Sequence, residues 1–310
     1  MKTLTKNLQN IGNIGLVQFG TLEYDGSGFK PAGPALDKGD LIIKESQEEG
    51  VVSKLVAFNK TTDFLLLTDM DILKGAKQNR VVNTSCLIAP NSKTELDVSC
   101  VERLRWDYTS PDFKMSPESM DFKMRSAKAS SLKNMASGIF EGEGVQGKMW
   151  NMISDKVRKR GSDNATEDYE QLLNEEKKPT FAGRKLVMDK SSNALAVFID
   201  RQIVFCDVLG NREAYAFYFP KLKDGALRSF PVNDYFSGNS EKEKKFEPLG
   251  EAEAFYKLGE FLDEVGKNLK ISGERLFGAG KLKRIMDERT PGFELSYQDR
   301  LIHLAAFSEA

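Results

Sequence analysis

The chain has 310 residues, 40% of them hydrophobic and 29% charged, with a formal net charge of −1. That composition suits a globular protein with a buried core, and it offers no global attraction to nucleic acid or an anionic membrane. No uninterrupted apolar run reaches the roughly 18 residues of a membrane span, and the N-terminal MKTLTKNLQNIGNIG lacks an export signal's apolar region, so a cytoplasmic, membrane-free protein is expected.

Residues 1–68 read as strands and turns. LVQFGTLEY, DLIIKES and SKLVAFNK are short β-branched or aromatic segments separated by Gly, Pro and Asp. FLLLTDMDIL leads into a turn at Gly75. Two apolar runs, Val81–Ala89 and Thr94–Val101, then flank Pro90-Asn91-Ser92-Lys93 and predict an antiparallel hairpin. Residues 112–125 have no clean period and are expected as an irregular crossing. Val145, Met149, Met152, Ile153 and Val157 mark one helical face, and Thr166–Glu176 predicts a short helix stopped by Pro179. ALAVFID and QIVFCDVL predict a second hairpin around Asp200-Arg201. Arg212–Arg228 reads as a helix broken or kinked at Pro220. Asn233–Glu247 reads as an exposed loop. Phe255, Leu258, Leu262, Val265 and Leu269 follow as the most regular amphipathic helix, and FELSY with LIHLAAF as a terminal hairpin.

The first hairpin carries the candidate site. With its turn at Pro90–Lys93, Asn83 falls opposite Cys100 and Val81 opposite Glu102. Alternation then puts Val81, Asn83, Ser85 and Leu87 on one face with Leu96, Val98, Cys100 and Glu102. That face turns from apolar to polar toward the open end, as a core opening into a pocket does. Arg80 and Arg105 offer planar forks for carboxylate or phosphate, and Trp106 a stacking plate. Gln78, Asn79 and Asn83 can read amide or hydroxyl patterns. Glu102 could hold ribose hydroxyls or act as a base, and Cys100 could be a nucleophile beside an arginine. The plainer readings are structural ion pairs for Glu102 and the arginines, core for Trp106, and a small buried hydrophobe for Cys100.

GAKQNRVVNTSCLIAP followed by VSCVERLRW resembles the family named for its association with ADP-ribosylglycohydrolases and rhodanese-phosphatases. Asp71, Gly75, Ala76, Lys77, Gln78, Asn79, Arg80 and Asn83 match its first block. Ser99, Cys100, Val101, Glu102, Arg105 and Trp106 match its second, with Arg103-Leu104 where members commonly have Gln-Gly. The resemblance implies a role in ADP-ribose or related nucleotide metabolism. That fits the residue types, since a pyrophosphate wants arginines, ribose a carboxylate and adenine an aromatic plate.

Other signals weigh little. GAGK at 278–281 is not a P-loop, because Arg275 and Leu282 stand where Gly and Ser or Thr are needed. KVRKR at 156–160 reads as a solvated helix terminus. Cys86, Cys100 and Cys206 are expected as reduced thiols without a disulfide. His303, the single histidine, excludes a His-rich zinc site and reads as core. No residue set is assigned to a metal, and no cofactor is indicated.

The expectation is an α+β fold with a β-sandwich-like N-terminal layer, a helical middle segment and a C-terminal α/β lobe. The regions are 1–110, 111–180 and 181–310, or one integrated domain. The expected function is binding of an anionic, nucleotide- or ADP-ribose-related ligand at the mouth of the 75–106 hairpin, with or without a hydrolase activity. A non-enzymatic interaction or structural module, whose signature residues serve folding, is the alternative.

Overall fold

A computed structural model describes residues 3–21, 28–46, 53–105, 107–133, 142–175, 186–229, 247–287 and 289–308. The first part is strand-rich: β1 (Thr3–Ile11), β2 (Ile14–Thr21), β3 (Phe29–Pro31), a short helix α1 (Gly33–Lys38), β4 (Leu41–Glu45), β5 (Lys54–Asn59) and β6 (Phe64–Leu67). The signature region follows as β7 (Asp71–Gly75), β8 (Arg80–Val82), β9 (Cys86–Ile88) and β10 (Ser92–Cys100). Then come β11 (Phe113–Ser119), α2 (Phe122–Lys133), α3 (Gly142–Arg160) and α4 (Tyr169–Glu175). The last part holds β12 (Ala194–Ile199), β13 (Gln202–Leu209), α5 (Arg212–Ser229), α6 (Glu251–Asn268), β14 (Leu269–Phe277), β15 (Gly280–Ile285), β16 (Gly292–Tyr297) and β17 (Arg300–Phe307). The fold is α+β.

Both ends of the described chain share one sheet. Its eight strands run β1-β2-β12-β13-β17-β16-β15-β14, so the terminal hairpin reaches β2 through β13 and β12. The sheet is covered on both faces, which explains its near-continuous apolar strands. Val17, Phe19, Ala196 and Val208 point toward α6, where Leu258, Leu262 and Val265 form the inward stripe. Leu16, Leu195, Val197 and Phe205 point the other way, toward Tyr215, Tyr218 and Leu222 of α5.

A six-stranded sheet, β11-β7-β8-β10-β5-β4, and a three-stranded one, β3-β6-β9, pack face to face. Leu55, Ala57, Leu96 and Val98 from the first meet Leu65, Leu67, Cys86 and Ile88 from the second. The back of the six-stranded sheet carries α2, α3 and α4, with Ile72 and Val81 against Met124, Val145, Met149, Ile153 and Leu172. The candidate site lies at one end of this sandwich.

Four sequence expectations need correction. Val81–Ala89 is not one strand: Asn83, Thr84 and Ser85 interrupt it, so β8 stays beside β10 while β9 crosses to the other sheet and pairs with β6. Residues 112–125 are not irregular, since β11 pairs with β7 and α2 starts at Phe122. Of the break or kink expected at Pro220, the break does not occur, since α5 runs through it from Arg212 to Ser229. Leu269 opens β14 rather than closing α6. Pro179 and most of the expected loop at 233–247 lie outside the described residues.

Candidate functional site

The signature block begins with a turn that demands its glycine. Gly75 has φ +131°, and a Cβ there would lie 2.5 Å from Ser110 Oγ and 2.7 Å from the Asp112 carbonyl oxygen. Ala76 continues the turn at φ 44°. The chain reverses from β7 into β8, and the Gly75 N–H donates to Asn79 Oδ1 at 3.1 Å. Gln78, Asn79 and Arg80 are thereby delivered to the end of β8.

Asn79, Glu102, Arg105 and Asp168 form a tight polar knot. Arg105 donates to both oxygens of Glu102, at 2.8 Å from Nε and 2.6 Å from Nη2. The Asn79 N–H donates to Glu102 Oε2 at 3.1 Å, and its side-chain amide to both oxygens of Asp168 at 3.2 Å. Arg105 Nη1 is anchored further by the carbonyl oxygens of Ala76 and Asp107. Asp168 caps α4, accepting the Glu170 N–H at 3.0 Å. Burial, followed by the Glu102 charge, pushes the Asp168 carboxyl up to about 6, with the Asn79 bonds opposing the shift.

Arg80 is held differently. It is 1% exposed, yet Nη1 meets only Gln78 O and Gln78 Oε1, each at 3.2 Å. Nη2 lies 3.5 Å from Glu45 Oε1, and Nε has no partner. Cys100 is directly opposite on β10, and its N–H and C=O are held by the Gln146 side-chain amide of α3 at 2.7 and 2.9 Å. Burial raises the Cys100 thiol to about 11, only partly offset by Arg80, so it is protonated at neutral pH.

The structure therefore gathers most expected site residues, but into two groups. Gln78, Arg80 and Cys100 form one; Asn79, Glu102 and Arg105 form the other. Gln78 links them by donating to the Arg103 carbonyl oxygen at 3.1 Å. The expected register does not hold. Cys100 pairs with Arg80 rather than Asn83, three residues out of step, and an odd slip exchanges the faces of β8. Val82 thus faces the sandwich and Val81 the helices. Asn83 bonds Ser99, whose hydroxyl donates to Asn83 Oδ1 at 2.7 Å. Trp106 lies outside the described residues. The sequence reading missed Asp168 and Gln146, which follow the end of β10 by 68 and 46 positions; neither sits in a motif that could have flagged it.

A second polar cluster, also unforeseen, lies in the core. Arg125 of α2 donates to both oxygens of Asp69 and both of Asp207, through four contacts of 2.7–2.9 Å. His303 Nε2 is 2.9 Å from Asp207 Oδ1, and His303 Nδ1 is 2.7 Å from Ser85 Oγ. Ser85 Oγ accepts the Asp69 N–H, so its own hydrogen is free for Nδ1, which leaves the Nε2 hydrogen to Asp207. Lys128 donates to the carbonyl oxygens of Asp69 and Val82, and burial depresses it to about 7. Although burial opposes its charge, Arg125 is held protonated by Asp207 and Asp69.

Connectivity from Ser85 through His303 to Asp207 is that of a nucleophile relay, but all three are fully buried. Asp69, Asp207 and His303 also bring ligand-type atoms within 4.8 Å of one another. The donor set does not suit a cation, because the Arg125 guanidinium already fills both carboxylates. The cluster joins β13 and β17 of the large sheet to α2 and to the loops on either side of β7 and β8. It is a scaffold contact. Cys86, Cys100 and Cys206 are buried free thiols.

An α+β protein with largely antiparallel sheets and a polar knot at one sandwich end is the class these observations define. The chain belongs to the ARG and Rhodanese-Phosphatase-superfamily-associated Protein domain family, whose model matches residues 4–307. No curated protein matches the chain, and no solved structure does. Among the described residues no helix is long and apolar enough to cross a membrane.

Proposed function

We propose that the protein binds an anionic ligand of nucleotide or ADP-ribose type at the end of β8 and β10, with Arg80 as the anion contact. The observation that carries this reading is the state of Arg80: buried, with no acceptor on Nε and its nearest carboxylate, Glu45, 3.5 Å away. A buried charge without a good partner costs several kcal/mol, and an incoming phosphate or carboxylate would recover that cost. The family's association with ADP-ribosylglycohydrolases supports phosphate as the anion. Gln78 holds Arg80 in place, its amide bridging Arg80 and the Arg103 carbonyl oxygen.

Glu102 then acts by positioning. It holds Arg105 and the Asn79 backbone in place. A second reading has its own observation. The bidentate Glu102–Arg105 pair is what a folding element looks like, and a non-enzymatic module would need nothing more.

Thermal unfolding of wild type and Arg80→Met, with ADP-ribose, NAD, AMP and pyrophosphate, separates the two. At about 100 times its dissociation constant a ligand adds roughly 2.7 kcal/mol to stability. The ligand reading expects that shift in wild type and none in Arg80→Met, with the free variant melting at or above wild type. A free Arg80→Met protein melting far below wild type would instead make Arg80 a structural cation.

A further inference from the structure

We infer that Glu45 gates the Arg80 site: its carboxylate reaches the guanidinium from across the mouth of the sandwich, and an anionic ligand must displace it to bind. This rests on the ligand reading above and adds a built-in competitor to that site.

The two side chains meet although the strand order keeps their backbones apart. In their sheet β8 and β4 are separated by β10 and β5. Three steps of about 4.8 Å put the two strands roughly 14 Å apart. Arg80 Nη2 and Glu45 Oε1 are nevertheless only 3.5 Å apart. Both residues belong to the face turned into the sandwich, since Glu45 alternates with Leu41 and Ile43, and Arg80 with Val82, all three of which lie in that core. The contact therefore spans the ends of β10 and β5 instead of joining ladder neighbours. Cys100, opposite Arg80 at the end of β10, is close to both: after burial, the Arg80 and Glu45 charges act on its thiol in opposite directions.

Exposure separates the groups that hold Arg80. It bonds Gln78 and Glu45 alone. Gln78 is 3% exposed, whereas the Glu45 side chain is 21% exposed. Glu45 is thus the partner that reaches water, and its contact is the longest of the three. It is also the last residue of β4, an edge strand, so its side chain can swing outward without breaking a ladder. A carboxylate already in touch with solvent loses little by leaving, which is what a displaceable counter-ion requires.

Calorimetric titration of the intact chain with AMP and ADP-ribose tests this. Glu45→Gln keeps the shape of the side chain and removes the competing charge. It should bind both probes at least about fivefold more tightly than wild type, equivalent to about 1 kcal/mol, the upper end for a part-exposed pair. Glu45→Asp withdraws the carboxylate by one methylene and should tighten both by at least about twofold, so the result does not rest on one variant folding. A structural defect at this position would weaken binding, and only the loss of a competitor strengthens it. Gains smaller than these, or weaker binding, overturn the gate and leave the Arg80 reading standing. Failure of wild type and Glu45→Gln alike to bind either probe overturns both.

Discussion

Two buried arginines divide the molecule's polar interior. Arg125 is 0% exposed and Arg80 1%, so both guanidinium groups have left water. Arg125 is met by two carboxylates through four contacts of 2.9 Å or less. Arg80 has no contact shorter than 3.2 Å and one nitrogen with none. Desolvation costs both of them similarly, but Arg125 recovers it from two carboxylates at close range, and Arg80 only from Gln78 and a more distant Glu45. A cation that is fully satisfied holds the fold together, whereas one that is not is available to a ligand. Burial alone does not separate structural from functional charges; the completeness of the partners does.

The largest test of that contrast is Arg125→Met. It removes the cation between Asp69 and Asp207 and leaves two buried carboxylates facing each other. Breaking a buried pair costs about 3–5 kcal/mol, and this change breaks two. Urea unfolding should show a loss at the upper end of that range or beyond. A loss under about 1 kcal/mol, within the reach of an ordinary surface change, would remove the cluster's role as a scaffold.

Glu102→Gln should come next. The carboxylate accepts two Arg105 bonds and the Asn79 N–H, and Gln keeps the size while removing the charge. Arg105 is partly exposed, so water can take up some of what it loses. The expected loss is about 1.5–3 kcal/mol, the range for hydrogen bonds to charged groups. This departs from treating Arg80, Glu102 and Arg105 as one anion-binding unit. An unchanged unfolding midpoint in Glu102→Gln would restore that unit.

What the sequence showed and hid follows from how far apart the partners are. The β12–β13 hairpin could be read because Asp200 and Arg201 adopt left-handed φ values of 47° and 67° between two apolar runs. The stripe on α6 and the β16–β17 hairpin are equally local. The register of β8 against β10 was not local. It depends on β9 leaving for β6 and on β5 taking the first part of β10, and neither is visible in the residues of the turn. Asn79 and Asp168 lie 89 positions apart, Arg125 and Asp207 82, Ser85 and His303 218. Residue types at the signature strands pointed to a site. Only the fold separates Arg80, whose Nε has no acceptor and whose contacts are long, from Glu102 and Arg105, which have each other.

The smallest effect is expected at Asp168, and its pH dependence is the informative part. Its folded pKa of about 6 lies above the ordinary aspartate value of 3.8, so between these values the folded state binds more protons than the unfolded one. That contribution to stability is fully present below pH 3.8 and is lost as pH rises through 6. Asp168→Asn removes the penalty while keeping an oxygen to cap α4, since Asn is as good a cap as Asp. The variant should therefore gain on wild type as pH rises from 4 to 6 and hold that gain above. Because the carboxyl is only half-buried, solvent screening limits the gain to about 1 kcal/mol or less at neutral pH. Unfolding midpoints of both proteins at pH 4, 5, 6 and 7 give the result directly. A difference constant across that range would mean that Glu102 and burial do not raise the Asp168 carboxyl.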